Sequence, residues 1–231
     1  MKTIGVIGGM GPQATMDFEA RIHRISQKLI PQFVNRGYPP MVVYYVREAP
    51  MVLNSDGSTP EKLEPAPQLL DAAKKLGAVA DFLVIASNTP HFFKKEIEEA
   101  AGLRILSIVQ VTLEKIKRER YKKVGIIAVG DTLKHRLYQE PLERMGVANV
   151  TITAEASRRL DEEIWALMEG KVALKNRSPL ETMKFLFPRD VEAVILGCTE
   201  LPILFDEWVG YPFMINPGEL LAEAAVRYAI S

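Results

Sequence analysis

The most constraining feature of this 231-residue chain is a series of short apolar runs that alternate with longer amphipathic stretches. The runs are rich in Val and Ile, and most lack the polar–apolar alternation that marks a half-exposed strand. Such runs are typical of strands buried on both faces, and hence of a parallel sheet. They cover residues 3–7, 42–46, 82–86, 105–108, 124–129, 150–153, 194–196 and 213–215. Because they alternate with helical patterns, they predict an α/β fold.

The intervening segments carry apolar residues at intervals of three and four, which predicts helices. The clearest begins at Pro12, a residue suited to the first turn of a helix, and continues to residue 29. A second ends at Gly77, and a third lies between Pro90 and Gly102. Further helices are predicted over residues 109–116, 133–145, 160–168, 180–186 and 220–228.

The two halves of the chain show a weak internal repeat. Residues 4–7, 84–89 and 103–108 match residues 124–127, 195–200 and 211–216 in the same order. The second match places Ser87 opposite Cys198. Chance similarity between Val- and Ile-rich stretches is the alternative to duplication.

Duplication predicts two similar α/β halves, each with a mainly parallel four-stranded sheet. The first half covers residues 1–108, with a C-terminal helix at 216–231 that packs back on it. The second half covers residues 109–215.

Composition excludes several classes of protein. The 29 Lys and Arg residues balance 29 Asp and Glu residues, whereas nucleic-acid binding usually needs a basic face. No apolar run approaches the roughly 18–20 residues of a membrane span, and the N-terminal stretch is too glycine-rich for a signal peptide. The single cysteine, Cys198, cannot form an internal disulfide or a multi-cysteine zinc site. We therefore expect a cytoplasmic protein with neither a nucleic-acid nor a membrane partner.

Residues 8–12 (Gly-Gly-Met-Gly-Pro) join the first strand to the first helix. Glycines let the backbone approach a ligand closely, and a helix N-terminus presents N–H groups to an anion. Residues 9–14 also fit the dinucleotide pattern G-x-G-x-x-A, but Glu48 lies too far along to be its acidic partner. We interpret the segment as a small-carboxylate site, with a purely structural turn as the alternative.

Two short polar segments each follow a buried strand and open a helix: residues 87–91 (Ser-Asn-Thr-Pro-His) and 198–202 (Cys-Thr-Glu-Leu-Pro). Ligands of open α/β sheets bind beyond the carboxyl ends of the strands, so both segments are candidate binding positions. A helix N-terminus can lower the pKa of a thiol below its reference of about 8.5, which makes Cys198 a candidate catalytic group. The alternative for a lone cysteine is that it serves as a small, buried apolar residue. His91 is a candidate neighbour of the site.

Residues 47–67 form the longest predicted loop and contain four prolines. Loops longer than about 12–15 residues are uncommon in compact domains and often act as lids. A lid and a solvated excursion are the two interpretations of this segment.

These motifs resemble those of the aspartate/glutamate racemase family, the cofactor-independent cysteine racemases. The matching segments are residues 1–12, 88–91 (Asn-Thr-Pro-His) and 197–200 (Gly-Cys-Thr-Glu), and the likeness covers essentially the whole chain. The resemblance implies two pseudo-symmetric α/β halves with the active site in the cleft between them, commonly in a homodimer. It also implies an amino acid or small dicarboxylate as substrate, no pyridoxal phosphate and no metal.

The resemblance further implies the chemistry. One thiolate removes the α-proton of the amino acid, and a group on the opposite face returns a proton, so the centre inverts. Cys198 matches one of the two family cysteines, and Ser87 replaces the other. The substrate-binding residues implied in the same way are Gly9, Met10, Arg47, Asn88, Thr89, Thr132, Lys171, Thr199 and Glu200.

Two departures from the family pattern leave alternatives open. Serine is a far weaker acid than cysteine, so Ser87 or water returns the second proton, or two-sided chemistry has been lost. The family arginine for the side-chain carboxylate is out of register here, with Arg47 as a substitute from a shifted position, and Lys171 lies near the place of a lysine contact of the family. The alternatives are a single-cysteine decarboxylase or isomerase of a small dicarboxylate, a non-catalytic homologue that binds a small carboxylate, and a nicotinamide dehydrogenase.

Overall fold

The computed structural model describes residues 1–34, 36–171, 186–205 and 213–231. Internal contacts divide the chain into two compact units. Unit 1 comprises Met1–Val111 and Gly218–Ser231, and unit 2 comprises Thr112–Pro217. Unit 1 is therefore discontinuous in the sequence, whereas unit 2 is continuous.

Within the described residues, each unit holds one four-stranded parallel sheet. In unit 1 the strand order is β2-β1-β3-β4, with β1 at Ile4–Gly8, β2 at Met41–Tyr45, β3 at Phe82–Ile85 and β4 at Ile105–Leu106. In unit 2 the order is β6-β5-β7-β8, with β5 at Lys123–Ile127, β6 at Ala148–Thr151, β7 at Ala193–Leu196 and β8 at Met214–Ile215. The predicted α/β class with two parallel four-stranded sheets is confirmed.

Helices connect the strands. They are α1 at Pro12–Leu29, α2 at Pro67–Gly77, α3 at Lys94–Ala101, α4 at Ile108–Glu119, α5 at Gly130–Lys134, α6 at Gln139–Arg144, α7 at Ala154–Met168, α8 at Leu201–Leu204 and α9 at Pro217–Ile230. A 3₁₀ turn, Thr89–Phe93, precedes α3. None of the helices in the described ranges is long and apolar enough to cross a membrane.

The single helix predicted over residues 133–145 is wrong, because the structure has two short helices there. Arg136 between them has a φ of 57°, a left-handed conformation that no helix accommodates. Pro141 lacks a backbone N–H and falls in the first turn of α6, where that N–H is not needed. The helix predicted over residues 180–186 lies outside the described residues, except for its last residue.

The central strands β1 and β3 of unit 1 are buried on both faces, which explains their continuous apolar runs. On one face Ile4 and Val6 pack against α1 and α9. On the other face Ile7 and Ile85 pack against α2 and α3. The backbone N–H of Lys2 donates to the carbonyl of Ala229 at 2.8 Å, which ties α9 to the start of the chain.

The 47–67 segment is paired with itself at its base. An antiparallel bridge joins Met51 to Pro65, and the N–H of Val52 donates to the carbonyl of Glu64 at 3.0 Å. Met51 is buried in the core of unit 1. The base of the segment is therefore anchored, and a lid role for its tip stays a prediction.

Candidate active site

Ser87 and Cys198 occupy equivalent places in their two sheets. Each lies two residues beyond the carboxyl end of a strand, β3 for Ser87 and β7 for Cys198. In each case the N–H of the preceding residue donates to a backbone carbonyl of the neighbouring central strand. The donors are Ala86, at 2.9 Å, and Gly197, at 2.7 Å. Both side chains are half-buried. The pairing of Ser87 with Cys198 in the repeat thus corresponds to the same position in two sheets of the same strand order.

The thiol of Cys198 lies directly against a carboxylate. Its Sγ donates to Oε2 of Glu200 at 2.9 Å, and the hydroxyl of Thr199 donates to the same oxygen at 3.1 Å. Glu200 is only 4% exposed, so its carboxylate is withdrawn from water. The backbone turn into α8 therefore brings a nucleophilic sulfur, a hydroxyl and a buried acid together.

The surroundings of Cys198 disfavour a free thiolate. Burial raises the pKa of the thiol well above its usual value, and the negative charges of Glu200 and Asp161 raise it further. Burial also raises the pKa of Glu200, although hydrogen bonds from Cys198 and Thr199 oppose that rise. The expected lowering of the thiol pKa by a helix N-terminus is wrong. The helix that follows, α8, is a single turn, and the carboxylate of Glu200 lies 2.9 Å from the sulfur.

On the Ser87 side, His91 holds the turn together. Its Nδ1 faces the carbonyl oxygens of Ser87 and Asn88 at 3.0 and 3.2 Å, and its Nε2 accepts from the N–H of Ile108 at 3.1 Å. An imidazole that accepts at Nε2 and donates at Nδ1 is neutral. Burial lowers the pKa of His91 to about 4, in agreement with that tautomer. His91 therefore contacts the backbone of the Ser87 turn and ties it to the start of α4.

Because His91 stays neutral in the fold, we expect stability to fall in mild acid. The unfolded chain binds a proton at the ordinary histidine pKa of about 6.5, whereas the folded chain resists protonation down to about 4. The stabilisation is fully present above pH 6.5 and is lost as the pH falls towards 4, by about 3 kcal/mol in all. Urea unfolding at pH 7.5 and 4.5 measures this. His91→Gln, which does not titrate, should lose that part of the pH dependence, and an unchanged dependence in this variant would contradict the assignment.

The glycine turn after β1 is shaped by close backbone contact. Gly9 has a φ of 88°, and a Cβ there would lie 2.6 Å from the carbonyl oxygen of Val46. The N–H of Gly9 donates to the hydroxyl of Thr15 at 2.9 Å, and that hydroxyl donates to the carbonyl of Gly11 at 3.0 Å. The Gly9 N–H is thus used inside the turn, so a ligand carboxylate cannot take it in this conformation. The half-buried Met10 follows directly.

The predicted arginine lies just beyond β2, at the same edge of the unit 1 sheet as Gly9 and Ser87. Arg47 is exposed, and its guanidinium lies 4.8 Å from the ring centroid of Tyr45. The hydroxyl of Tyr45 donates to Glu19 at 2.8 Å. Because the carboxyl ends of parallel strands meet at one edge, Gly9, Arg47 and Ser87 share that edge of the sheet.

The other predicted residues divide between the two units. In unit 1, Asn88 is buried and Thr89 is half-buried, both directly after Ser87. In unit 2, Thr132 is buried in the first turn of α5. Lys171 is exposed just after α7 and forms an ion pair with the nearby Glu169.

Asp161 of α7 was not among the site residues predicted from the sequence. Its charge acts on Cys198, and burial raises the pKa of its carboxyl. An acidic residue on an amphipathic helix carries no signal in the sequence that distinguishes it from a solvated one. Within the described ranges, no group of three or more His, Cys, Asp or Glu side chains is arranged to hold a metal ion.

Comparison with known proteins assigns the family. A family model described as Asp/Glu/Hydantoin racemase matches residues 7–225, which is nearly the whole chain. The chain belongs to this racemase family.

Two curated relatives support the assignment in sequence. The broad specificity amino-acid racemase RacX of Bacillus subtilis is 25% identical over 224 residues, covering 96% of each chain. A glutamate racemase of Aquifex pyrophilus is 29% identical over 129 residues, covering 55% of this chain and 49% of that protein.

Solved racemase structures share the fold. An aspartate racemase homologue from Pyrococcus horikoshii OT3 matches 100% of both chains with a TM-score of 0.75 at 24% identity. The aspartate racemase of Picrophilus torridus has a TM-score of 0.73 at 22% identity, covering 99% of this chain and 94% of that one. The family resemblance seen in the sequence is confirmed, and this member of the racemase family is an isomerase.

Proposed function

We propose that this racemase inverts the α-carbon of an acidic amino acid, aspartate or glutamate, without a cofactor. Cys198 acts on one face of the α-carbon, and Ser87, in place of the second family cysteine, acts on the other. The observation that carries the proposal is that Ser87 and Cys198 hold the same position in two sheets of identical strand order. Racemisation needs two proton-transfer groups that act on opposite faces of one carbon.

Cys198 is the stronger candidate for proton abstraction. A thiol is a far better acid than a hydroxyl, and its thiolate is a soft base that can take the α-proton. In the described structure the sulfur is half-buried, and a proton acceptor, Glu200, lies 2.9 Å away. Ser87 has no comparable acidity, so we expect proton return on its face to be the slower step.

The proposed substrate contacts follow from the polar groups at the strand ends. The α-proton of an amino acid is very weakly acidic, so the carbanion needs hydrogen-bond donors around its carboxylate. Asn88 and Thr89 beside Ser87, Thr132 and Thr199 in unit 2, and the Met10 turn are the proposed donors. Arg47 and Lys171 are the proposed partners of the side-chain carboxylate, and both are exposed and cationic.

The relatives support an acidic amino acid as substrate and are compatible with other amino acids as further substrates. One is described as a glutamate racemase and another as a broad specificity amino-acid racemase. The exposed position of Arg47 favours a tolerant side-chain subsite, because an exposed charge discriminates weakly between substrates.

We also propose a cytoplasmic homodimer. A reducing compartment keeps the Cys198 thiol available, and the dimer follows from the family resemblance alone. Cell fractionation tests the compartment. Sedimentation velocity tests the dimer, and a monomer at working concentration would refute the proposed dimer.

Proton NMR in deuterated water tests the proposed function. The protein is incubated separately with L- and D-aspartate and with L- and D-glutamate, and Cys198→Ser serves as the matched control. We expect loss of the α-proton signal together with formation of the opposite enantiomer, and neither with the control. Exchange without inversion would show that Ser87 cannot complete the reaction. No exchange with any of the four would refute the proposed substrate class, and release of carbon dioxide would indicate a decarboxylase.

A further inference from the structure

The guanidinium of Arg47 is held by an aromatic ring and not by a carboxylate. It lies 4.8 Å from the ring centroid of Tyr45, within the range of a cation–π interaction. It forms neither a hydrogen bond nor an ion pair with any residue in the ranges that the structure describes. The positive charge of Arg47 is therefore not neutralised by an acidic side chain of the described chain.

The ring of Tyr45 is itself fixed at its far end. Its hydroxyl donates to Oε1 of Glu19 at 2.8 Å, and both side chains are half-buried. Glu19 belongs to α1, the helix that begins directly after the glycine turn. A hydrogen bond to a carboxylate is stronger than one between neutral groups. The contact therefore ties the last residue of β2 to the body of α1 and restricts rotation of the ring.

The backbone of β2 explains why the ring and the guanidinium meet. Side chains alternate between the two faces of a strand. Val43 packs on the α1 and α9 face of the sheet, and Val46 packs on the α2 and α3 face. The N–H of Val46 still donates to the carbonyl of Gly8 at 2.8 Å, which fixes the backbone between the two partners. Tyr45 and Arg47 therefore share the α1 face.

A ring leaves a guanidinium available to a ligand in a way that a carboxylate does not. An aromatic ring attracts the cation through its π-electrons, whereas the N–H donors of the guanidinium lie in its own plane. A direct ion pair with Glu19 would use some of those donors and neutralise the charge. With Tyr45 between the two groups, Arg47 is restrained while its donors remain free for an incoming carboxylate.

We propose that Tyr45 is a positioning residue for Arg47 and thereby sets the preference of the site for an acidic over a neutral amino acid. The inference rests on the proposed function, which assigns Arg47 to the side-chain carboxylate of the substrate. An exposed arginine that moves freely discriminates weakly, because binding must first immobilise a flexible side chain. The ring restrains that side chain before the ligand arrives.

The test is the affinity for two pairs of ligands of nearly identical shape, aspartate with asparagine and glutamate with glutamine. Calorimetry measures them on the Cys198→Ser chain, so that turnover does not disturb the binding isotherm. The ratio of the two Kd values in a pair reports recognition of the side-chain carboxylate, and we expect the acidic ligand to bind more tightly. Tyr45→Leu should reduce that preference about two- to fivefold, the range of an exposed cation–π contact, without changing the affinity for the amide. Tyr45→Phe retains the ring and should retain most of the preference.

The neighbouring tyrosine provides a matched control. Tyr44 is also half-buried in β2, and its ring lies 5.3 Å from Nζ of Lys75 in α2, on the other face of the sheet. Tyr44→Leu therefore removes a similar ring and a similar contact, and it should leave the preference unchanged. Arg47→Gln should abolish the preference. Adding Tyr45→Leu to Arg47→Gln should then change nothing further, because Tyr45 acts through Arg47.

Three results would overturn the inference. One is a preference that Tyr45→Leu leaves unchanged, and another is an equal loss of affinity for the acid and the amide, which would indicate a merely structural role. The third is the absence of a preference before substitution, or its survival in Arg47→Gln, whether or not Tyr45→Leu folds. Exchange in the NMR experiment with a preference independent of Tyr45 would refute this inference alone. A preference that depends on Tyr45, without exchange, would refute the proposed reaction alone.

Discussion

Replacement of Cys198 by serine is expected to lower kcat/KM for racemisation by about 10²–10⁴-fold, the contribution typical of a positioned acid or base. Serine keeps the size of the side chain but not its acidity, so the proton-transfer group is lost. We expect the free energy of unfolding to change by no more than about 1 kcal/mol, because the site is half-buried and little volume is removed. Coupled measurement of racemisation and urea unfolding separates the two effects.

The activity of Cys198→Ser decides whether Cys198 is the base. Cys198→Ser that retains native activity would show that the α-proton is taken elsewhere, and the proposed mechanism would fail. Cys198→Ala is the companion variant, since it also removes the hydroxyl that would donate to Glu200 in place of the sulfur.

Replacement of Ser87 by cysteine is expected to raise the rate of inversion at least about tenfold, within the range of general acid catalysis. Ser87 is half-buried and lies at the position that matches Cys198 in the other sheet. A thiol there would donate the returning proton far more readily than a hydroxyl. The two enantiomers have equal free energy in water, so kcat/KM must rise equally in both directions, although kcat and KM can change separately.

The same substitution at Ser107 provides a control. Ser107 follows β4 at the same edge of the unit 1 sheet, so Ser107→Cys adds a thiol without placing it opposite Cys198 in the repeat. Racemisation should respond to the change at residue 87 and not to the change at residue 107. A lower rate in Ser87→Cys would indicate a site remodelled for other chemistry, with the serine hydroxyl used directly.

The central strands could be predicted from sequence because their burial on two faces leaves a continuous apolar signal. Val6 and Ile7 are adjacent in β1, yet they pack in the cores on opposite faces of the same sheet. The equivalence of Ser87 and Cys198 was also predictable, because a duplicated topology preserves the distance from the strand end.

Contacts that depend on tertiary placement were not predictable. Asp161 lies far from Cys198 in the sequence, and only the packing of α7 brings its charge to the thiol. The break at Arg136 was not predictable from residue type, because left-handed backbone is uncommon in a residue that is not glycine. The antiparallel bridge from Met51 to Pro65 is a pairing within a loop, which hydrophobic periodicity does not report.

The discontinuity of unit 1 has a consequence for how the protein is made. A ribosome delivers the chain from its N-terminus, so residues 112–217 emerge before the helix α9 that covers one face of the first sheet. Until Leu221 and Val226 arrive, Ile4 and Val6 have only the α1 part of the core in which they are buried. We expect unit 2, which is continuous, to complete its fold first. The half synthesised first is thus the half finished last, and its unfinished sheet is the part of the nascent chain most exposed to aggregation.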